Sequence, residues 1–433
     1  MNIKKVTSIE ILDSRGFPTL KTFVHLENGV VGWAAIPSGA STGTYEAVEL
    51  RDGDKKRYGG KGVLMAKHNV DVLLSDAVAG MNVFDQAALD RKMIETDGTP
   101  NKGKLGANAI LSISLAAARA AALTKEQELY EYLMEFFGAK IVTLPIPMIN
   151  VINGGKHAEQ SSDFQEYMLI PYGFSKFSEA LRASSEVFHI LKKKLSASGM
   201  PTGVGDEGGY TLKCGTNKEP LQFLIDAITE TGYVPGQEFG LGLDVAASEI
   251  YSNDTYNLTR DGKKMTREEL GDYYVEMKKQ FPLCSLEDGF AEDDWEGFSA
   301  FQKKLGSKIQ TVGDDLYVTN SDRLRKGIAE SATNAILIKV NQIGTLTETI
   351  ETMQLAREAG MQCIVSHRSG ETEDPFIADL VVAAGTGQIK TGSMSRSERL
   401  AKYNRLLEIE DREKELRPKQ LKFYEFPYKT NGF

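Results

Sequence analysis

Short apolar bursts and longer amphipathic stretches follow one another along the chain, and their spacing divides it in two. Between Ile3 and Ala35 the bursts are brief (Ile9 and Ile11; Leu20; Phe23 to Leu26; Val30 to Ala34), and Gly or Pro separates them, which predicts a small antiparallel sheet. Residues 62–80, 84–96 and 107–124 carry apolar positions three and four apart and predict helices, the last Ala-rich and fit for close packing. Strands followed by helices describe an α+β unit over residues 1–138. After Phe137-Gly138 the segment AKIVTLPIP has a glycine close before it, two prolines and no helical period, so a second domain is expected over residues 139–433.

In that second part eight strand-like bursts recur: 148–152, 167–170, 239–243, 283–286, 309–312, 335–340, 363–365 and 388–391. Helical stretches follow most of them, for example 321–330, 345–359 and 376–384, so the pattern predicts an eightfold β/α barrel. The first two bursts depart from it. Too few residues separate Ile152 from Phe164 for a crossover helix, so an antiparallel second strand is expected. The segment YSNDTYNLTRDGKKMT predicts a turn or hairpin after the third strand.

Composition narrows the function. The chain has 433 residues, 41% hydrophobic and 26% charged, enough for two cores and outside the range of disordered or fibrous chains. Its formal charge is −9 with no long basic stripe, which speaks against sequence-independent nucleic-acid binding. Cys214, Cys284 and Cys363 lie far apart, without zinc-site spacing or disulfide density, and read as buried thiols in a reducing compartment. The N-terminal segment lacks an apolar stretch of signal-peptide length, and the apolar run at 116–123 is short and Arg-interrupted. A cytoplasmic protein with no membrane span is expected.

Barrels carry their chemistry at the C-terminal ends of the strands. Asp244 ends the third burst, Glu287-Asp288 the fourth, Asp314-Asp315 follow the fifth, Lys339 lies in the sixth, His367-Arg368-Ser369 follow the seventh, and Lys390 is in the eighth. The first two strands add His157, Gln165 and Glu166, and a later loop adds Asp206 and Glu207. Three carboxylates on adjacent strands make an all-oxygen site suited to magnesium rather than zinc; read singly, each acid also suits a helix N-cap. Lys339 and Lys390, inside apolar strands, read either as salt-bridge partners of those acids or as bases whose pKa a nearby cation lowers. His367-Arg368-Ser369-Gly370 suits a phosphate or carboxylate. The G-x-G-x-x-G match at 203–208 follows a polar stretch instead of a strand and opens no helix, so a dinucleotide site is not expected. Ser38 to Gly43, small and polar, reads as a mobile lid or a plain linker.

Taken in order, SGASTG (38–43), ELRDGDK (49–55), NVINGGKHA (150–158), GDEGGY (205–210), LDVAASE (243–249), LEDG (286–289), GDDL (313–316), LIKVNQIGTLTET (337–349), SHRSGETED (366–374) and TGSMSRSERLAKYN (391–404) resemble enolases of the bacterial type across nearly the whole chain. The resemblance implies reversible dehydration of 2-phosphoglycerate to phosphoenolpyruvate. It implies Asp244, Glu287 and Asp314 as ligands of a first Mg2+, and Ser41 as a ligand of a second that arrives with substrate. Lys339 would be the base at carbon 2, and Glu207 the acid at carbon 3 with Glu166 and His157 beside it. Lys390 would serve the carboxylate, Arg368 and Ser369 the phosphate, and Gln165 and His367 the substrate. A homodimer or an octamer of dimers is implied, with a secondary cell-surface or secreted location. Phe17 stands where the family usually has Asn, which touches a local loop and no catalytic position. A barrel enzyme acting on a non-phosphorylated acid would need neither SGASTG nor the His-Arg-Ser segment.

Overall fold

Regular burial along the first bursts produces a three-stranded antiparallel sheet of β1 (Ile3–Leu12), β2 (Pro18–Leu26) and β3 (Val31–Ala35) in the computed structural model, which describes residues 1–39, 43–155 and 161–430. Ser41 and His157 therefore lie outside the described residues. Helix α1 runs through Leu64–His68, a π-type stretch Asn69–Leu74 and Ser75–Val78. It is followed by α2 (Gln86–Asp97), α3 (Ala107–Thr124) and α4 (Leu129–Phe137). Helix α3 lies on β2 and β3, and Gly32 lets it approach: a Cβ there would sit 2.3 Å from the Ala120 nitrogen and 2.4 Å from the Ala116 oxygen. Among the described residues α3 is also the one helix long and apolar enough to cross a membrane, and 83% of it is buried inside the protein, as suits a core helix.

Beyond α4 the chain forms β4 (Val142–Leu144) and then the barrel strands β5 (Ile146–Asn153), β6 (Glu166–Ile170), β7 (Gly240–Asp244), β8 (Leu283–Glu287), β9 (Gln310–Gly313), β10 (Ala335–Ile338), β11 (Gln362–Ser366) and β12 (Gln388–Lys390). Each expected burst is a strand, and β12 pairs with β5 to close the ring. Neighbours run parallel except β6, which is antiparallel to both β5 and β7 and sets Glu166 opposite Asp244. Covered on both faces, these strands read as continuous apolar runs rather than alternating ones. Ile146, Met148, Met168, Ile170, Leu337 and Ile364 join a second apolar cluster formed by the barrel strands.

Between the strands stand α5 (Phe177–Ala197), α6 (Glu219–Glu230), α7 (Arg267–Gln280), α8 (Trp295–Leu305), α9 (Ser321–Glu330), α10 (Leu346–Glu358) and α11 (Phe376–Ala384), with α12 (Ser397–Leu416) after β12. The segment after β7 is more than a hairpin: Tyr251–Ser252, Thr255–Leu258 and Lys263–Met265 form a three-stranded antiparallel sheet of their own.

The N-terminal sheet is stitched to the loop after β11. Ser38 and Gly370 exchange backbone hydrogen bonds of 2.7 and 3.0 Å. Asp374 accepts the Ala35 N–H at 2.9 Å and Arg119 of α3 at 2.6 Å. The first domain thus sits over the rim on which the candidate residues gather.

Candidate active site

Strands β7, β8 and β12 end in Asp244, Glu287 and Lys390, while β6, running the other way, begins with Glu166. Lys390 Nζ lies 2.9 Å from both oxygens of Glu287, 3.0 Å from Asp244 Oδ2 and 3.0 Å from Glu166 Oε2, and all four side chains are buried. Gln165 donates to Asp244 Oδ2 at 3.3 Å. A buried ammonium is tolerable only among such partners. Burial pushes the Lys390 pKa down, yet Asp244, Glu166 and Glu287 together carry it well above the ordinary lysine value. Burial, reinforced by neighbouring carboxylates and opposed by Lys390, raises Glu166 and Glu287.

Lys339, directly after β10, forms an ion pair with Asp314, which also accepts from Gln342 Nε2 at 2.9 Å. Burial favours the neutral forms of both, but their mutual attraction prevails: Lys339 is held above its usual range and Asp314 below. The expected lowering of a lysine pKa is therefore not a property of the protein groups alone, because each lysine is matched by carboxylates. Asp288, in left-handed backbone conformation (φ 40°), accepts the N–H groups of Asp314 at 2.9 Å and Asp315 at 2.8 Å. It thereby fixes the turn that carries Asp314. Burial and the neighbouring Asp314 push Asp315 up to about 7.

Glu207 sits on the glycine-rich turn before a short strand, Tyr210–Thr211, that adds to β5. Asn150 of β5 donates to Glu207 Oε2 at 3.0 Å, and His367 Nε2 lies 3.7 Å from the same oxygen. His367 Nδ1 is 2.6 Å from Arg399 Nη1. Burial lowers the His367 pKa well below the usual imidazole value; Glu207 opposes this, while Arg399, Lys390 and Lys339 add to it. Glu46 grips the Arg368 guanidinium with both oxygens, at 2.9 and 3.1 Å, and Asn341 takes a further bond at 2.9 Å. Ser369 Oγ accepts from Arg15 at 3.4 Å.

Gln165, Glu166, Glu207, Asp244, Asp314, Lys339, His367, Arg368, Ser369 and Lys390 all line one polar cavity of about 50 Å3. Glu287 is fully buried and bound to Lys390. The expected side chains among the described residues gather at this rim, but the expected ligand trio is divided between the two lysines: Asp244 and Glu287 meet Lys390, and Asp314 meets Lys339. Residues passed over include Asn150, Glu46 and Arg399. Glu46 lies between two of the resembling segments and Arg399 inside another, but neither segment shows which atom each would meet.

The donor set suits a hard divalent cation. The acids supply oxygen alone, and Asp244, Glu287 and Glu166 already converge on one positive charge, the Lys390 ammonium. A second oxygen trio, Asp288, Asp314 and Asp315, has one atom from each within 4.8 Å of the others. Both oxygens of Asp288 are engaged by backbone N–H groups, which marks it as support for the turn.

Two family models match the chain. One described as the N-terminal domain of enolase covers residues 3–133, and one described as the C-terminal TIM barrel domain of enolase covers residues 141–418. The chain accordingly belongs to the enolase family, metal-dependent lyases acting on small-molecule substrates.

Proposed function

We propose that the protein catalyses the reversible dehydration of 2-phosphoglycerate to phosphoenolpyruvate in glycolysis and gluconeogenesis, with magnesium as cofactor. One observation carries the reading: two groups suited to proton transfer, Lys339 and Glu207, line the same small cavity as the Arg368 fork, on separate segments of the rim. Elimination of water needs such a pair, one group to remove a proton and another to protonate the departing hydroxyl.

Lys339 takes the proton from carbon 2, leaving an enediolate. Glu207, oriented by Asn150 and assisted by Glu166 and His157, delivers a proton to the hydroxyl leaving carbon 3. Lys390 faces the substrate carboxylate, whose charge grows as the proton departs, and Gln165 contacts the substrate. Arg368 and Ser369 hold the phosphate, with His367 beside them at the substrate, and Arg368 exchanges its grip on Glu46 for it. Asp244, Glu287 and Asp314 would hold a first Mg2+, and Ser41 a second; bound there, magnesium supplies positive charge that stabilises the enediolate and eases deprotonation of Lys339. The same reading places the protein in the cytoplasm as a homodimer or an octamer of dimers, with a secondary cell-surface or secreted location.

The test follows the ultraviolet absorbance of phosphoenolpyruvate formed from 2-phosphoglycerate, with magnesium and with chelator, for the wild type, Lys339→Ala and Glu207→Gln. Turnover that needs magnesium and is lost in both variants is expected. An inactive wild type at saturating magnesium would overturn the assignment.

A further inference from the structure

We propose that Arg399 is a positioning residue that fixes the single ring proton of His367 on Nε2, the nitrogen facing Glu207. Arg399 is the third residue of α12 and is fully buried. A guanidinium has five N–H donors, no acceptor, and keeps its charge at any pH a folded protein meets. The atom 2.6 Å from Arg399 Nη1, His367 Nδ1, must therefore accept, and a neutral ring that accepts at Nδ1 carries its proton on Nε2. That nitrogen lies 3.7 Å from Glu207 Oε2.

The imidazolium form is disfavoured by the same contact, because its Nδ1–H would point at an N–H of Arg399. Among the described residues the other charged groups that act most on the ring are Glu207, which favours protonation, and Lys390 and Lys339, which oppose it. Arg399 also donates to the carbonyls of Arg368 at 2.5 Å, Ser369 at 2.6 Å and Asp206 at 3.0 Å, and reaches Ser14 Oγ at 3.4 Å. Those bonds tie the 367–369 loop to the turn carrying Glu207. They make Arg399 a strut; the contact with Nδ1 makes it set a proton.

The catalytic consequence rests on the enolase reading. A neutral ring aimed through Nε2–H can donate to Glu207 once that residue has given up its proton, without adding a further cation among Lys339, Lys390 and Arg368. The tautomer itself does not depend on that reading, so the two fail separately.

The experiment is a long-range 1H–15N correlation spectrum of the full-length, imidazole-labelled protein. The ring is assigned among the five histidines by its loss in His367→Asn. An Nε2–H ring that stays neutral well below the ordinary imidazole pKa of about 6.5 is expected; an Nδ1–H ring or an imidazolium at pH 7 overturns the proposal. In Arg399→Met the ring should become a tautomer mixture titrating nearer that value. The acidic limb of the kcat profile should then move up, kcat should fall on the order of 10²-fold, and KM should change by no more than a few-fold. Arg399→Lys, which keeps a cationic donor, should recover part of the loss. A folded Arg399→Met with unchanged ring signals overturns the proposal, and if that variant does not fold the wild-type spectrum decides. An inactive wild type with the Nε2–H ring supports the positioning role while removing the dehydratase reading.

Discussion

Lys339 and Glu207 lie within one cavity, yet the protein meets the cost of placing each there in different ways. Around Lys339 charge is matched by charge: Asp314 pairs with it, and nearby Lys390 is enclosed by Asp244, Glu287 and Glu166. Glu207 is held by the Asn150 amide, by the Glu166 carboxyl and, at longer range, by an imidazole whose charge is suppressed. The first arrangement keeps a lysine charged until some other cation takes over its carboxylates, so its readiness as a base depends on what is bound. The second is determined within the protein, by hydrogen-bond direction. One side of the site is conditional and the other is prepared in advance.

The sharpest way to break the comparison is to remove each proton-transfer group in turn. Lys339→Ala should lower turnover on the order of 10³-fold, and it should also abolish exchange of the carbon 2 proton with solvent, read as isotope loss from labelled 2-phosphoglycerate. Glu207→Gln should lower turnover comparably while leaving that exchange measurable, because removal of the proton does not require the hydroxyl to leave. Equal exchange in the two variants would contradict the division of roles.

A smaller effect probes the charge-matched side by stability. Lys390→Met leaves three buried carboxylates without their shared cation and should cost about 3–5 kcal/mol in urea unfolding without magnesium. Added magnesium should restore more stability to the variant than it gives the wild type, by preferential binding to the folded state. A variant as stable as the wild type in chelator would mean that the ammonium is not what keeps these acids buried.

The smallest effect concerns the Glu207 side and pH. The folded His367 pKa lies below the unfolded value of about 6.5, so its contribution to stability is complete above that pH and is lost as pH falls toward the folded value. The wild-type unfolding free energy should therefore drop more steeply between pH 7 and 5.5 than that of His367→Asn, by at most about 1.4 kcal/mol per pH unit. Parallel curves would show that the ring titrates freely.

Much of the architecture could be read from the sequence because burial patterning is local. The eight bursts became strands, 107–124 became a helix with those bounds, and the short gap before Phe164 announced the reversed strand. Helix α4 escaped notice, although Glu128 and Glu131 form a capping box at its start, because its nine residues adjoin the Gly/Pro-rich connection. The rim acids were legible because a barrel assigns strand ends to one face. Glu46 and Arg399 were not, since their meaning lies in partners 322 and 32 positions away, respectively, and no periodicity encodes such contacts. The lysines were half legible: their place in apolar runs predicted burial, although Lys339 falls just past the end of β10, and the carboxylates that match their charges come from other strands and loops.

The reversed strand β6 has a consequence for how the gene can vary. Glu166 opens β6, and its position is set by the register of the antiparallel pairings with β5 and β7 rather than by a crossover helix. Side chains along a strand alternate between faces, so sliding β6 by one residue against β5 and β7 would turn Glu166 away from Lys390 and the barrel axis. Single-residue insertions or deletions within β6 should be far less tolerated than changes of the same size in the loops that join helices to strands on the far side of the barrel.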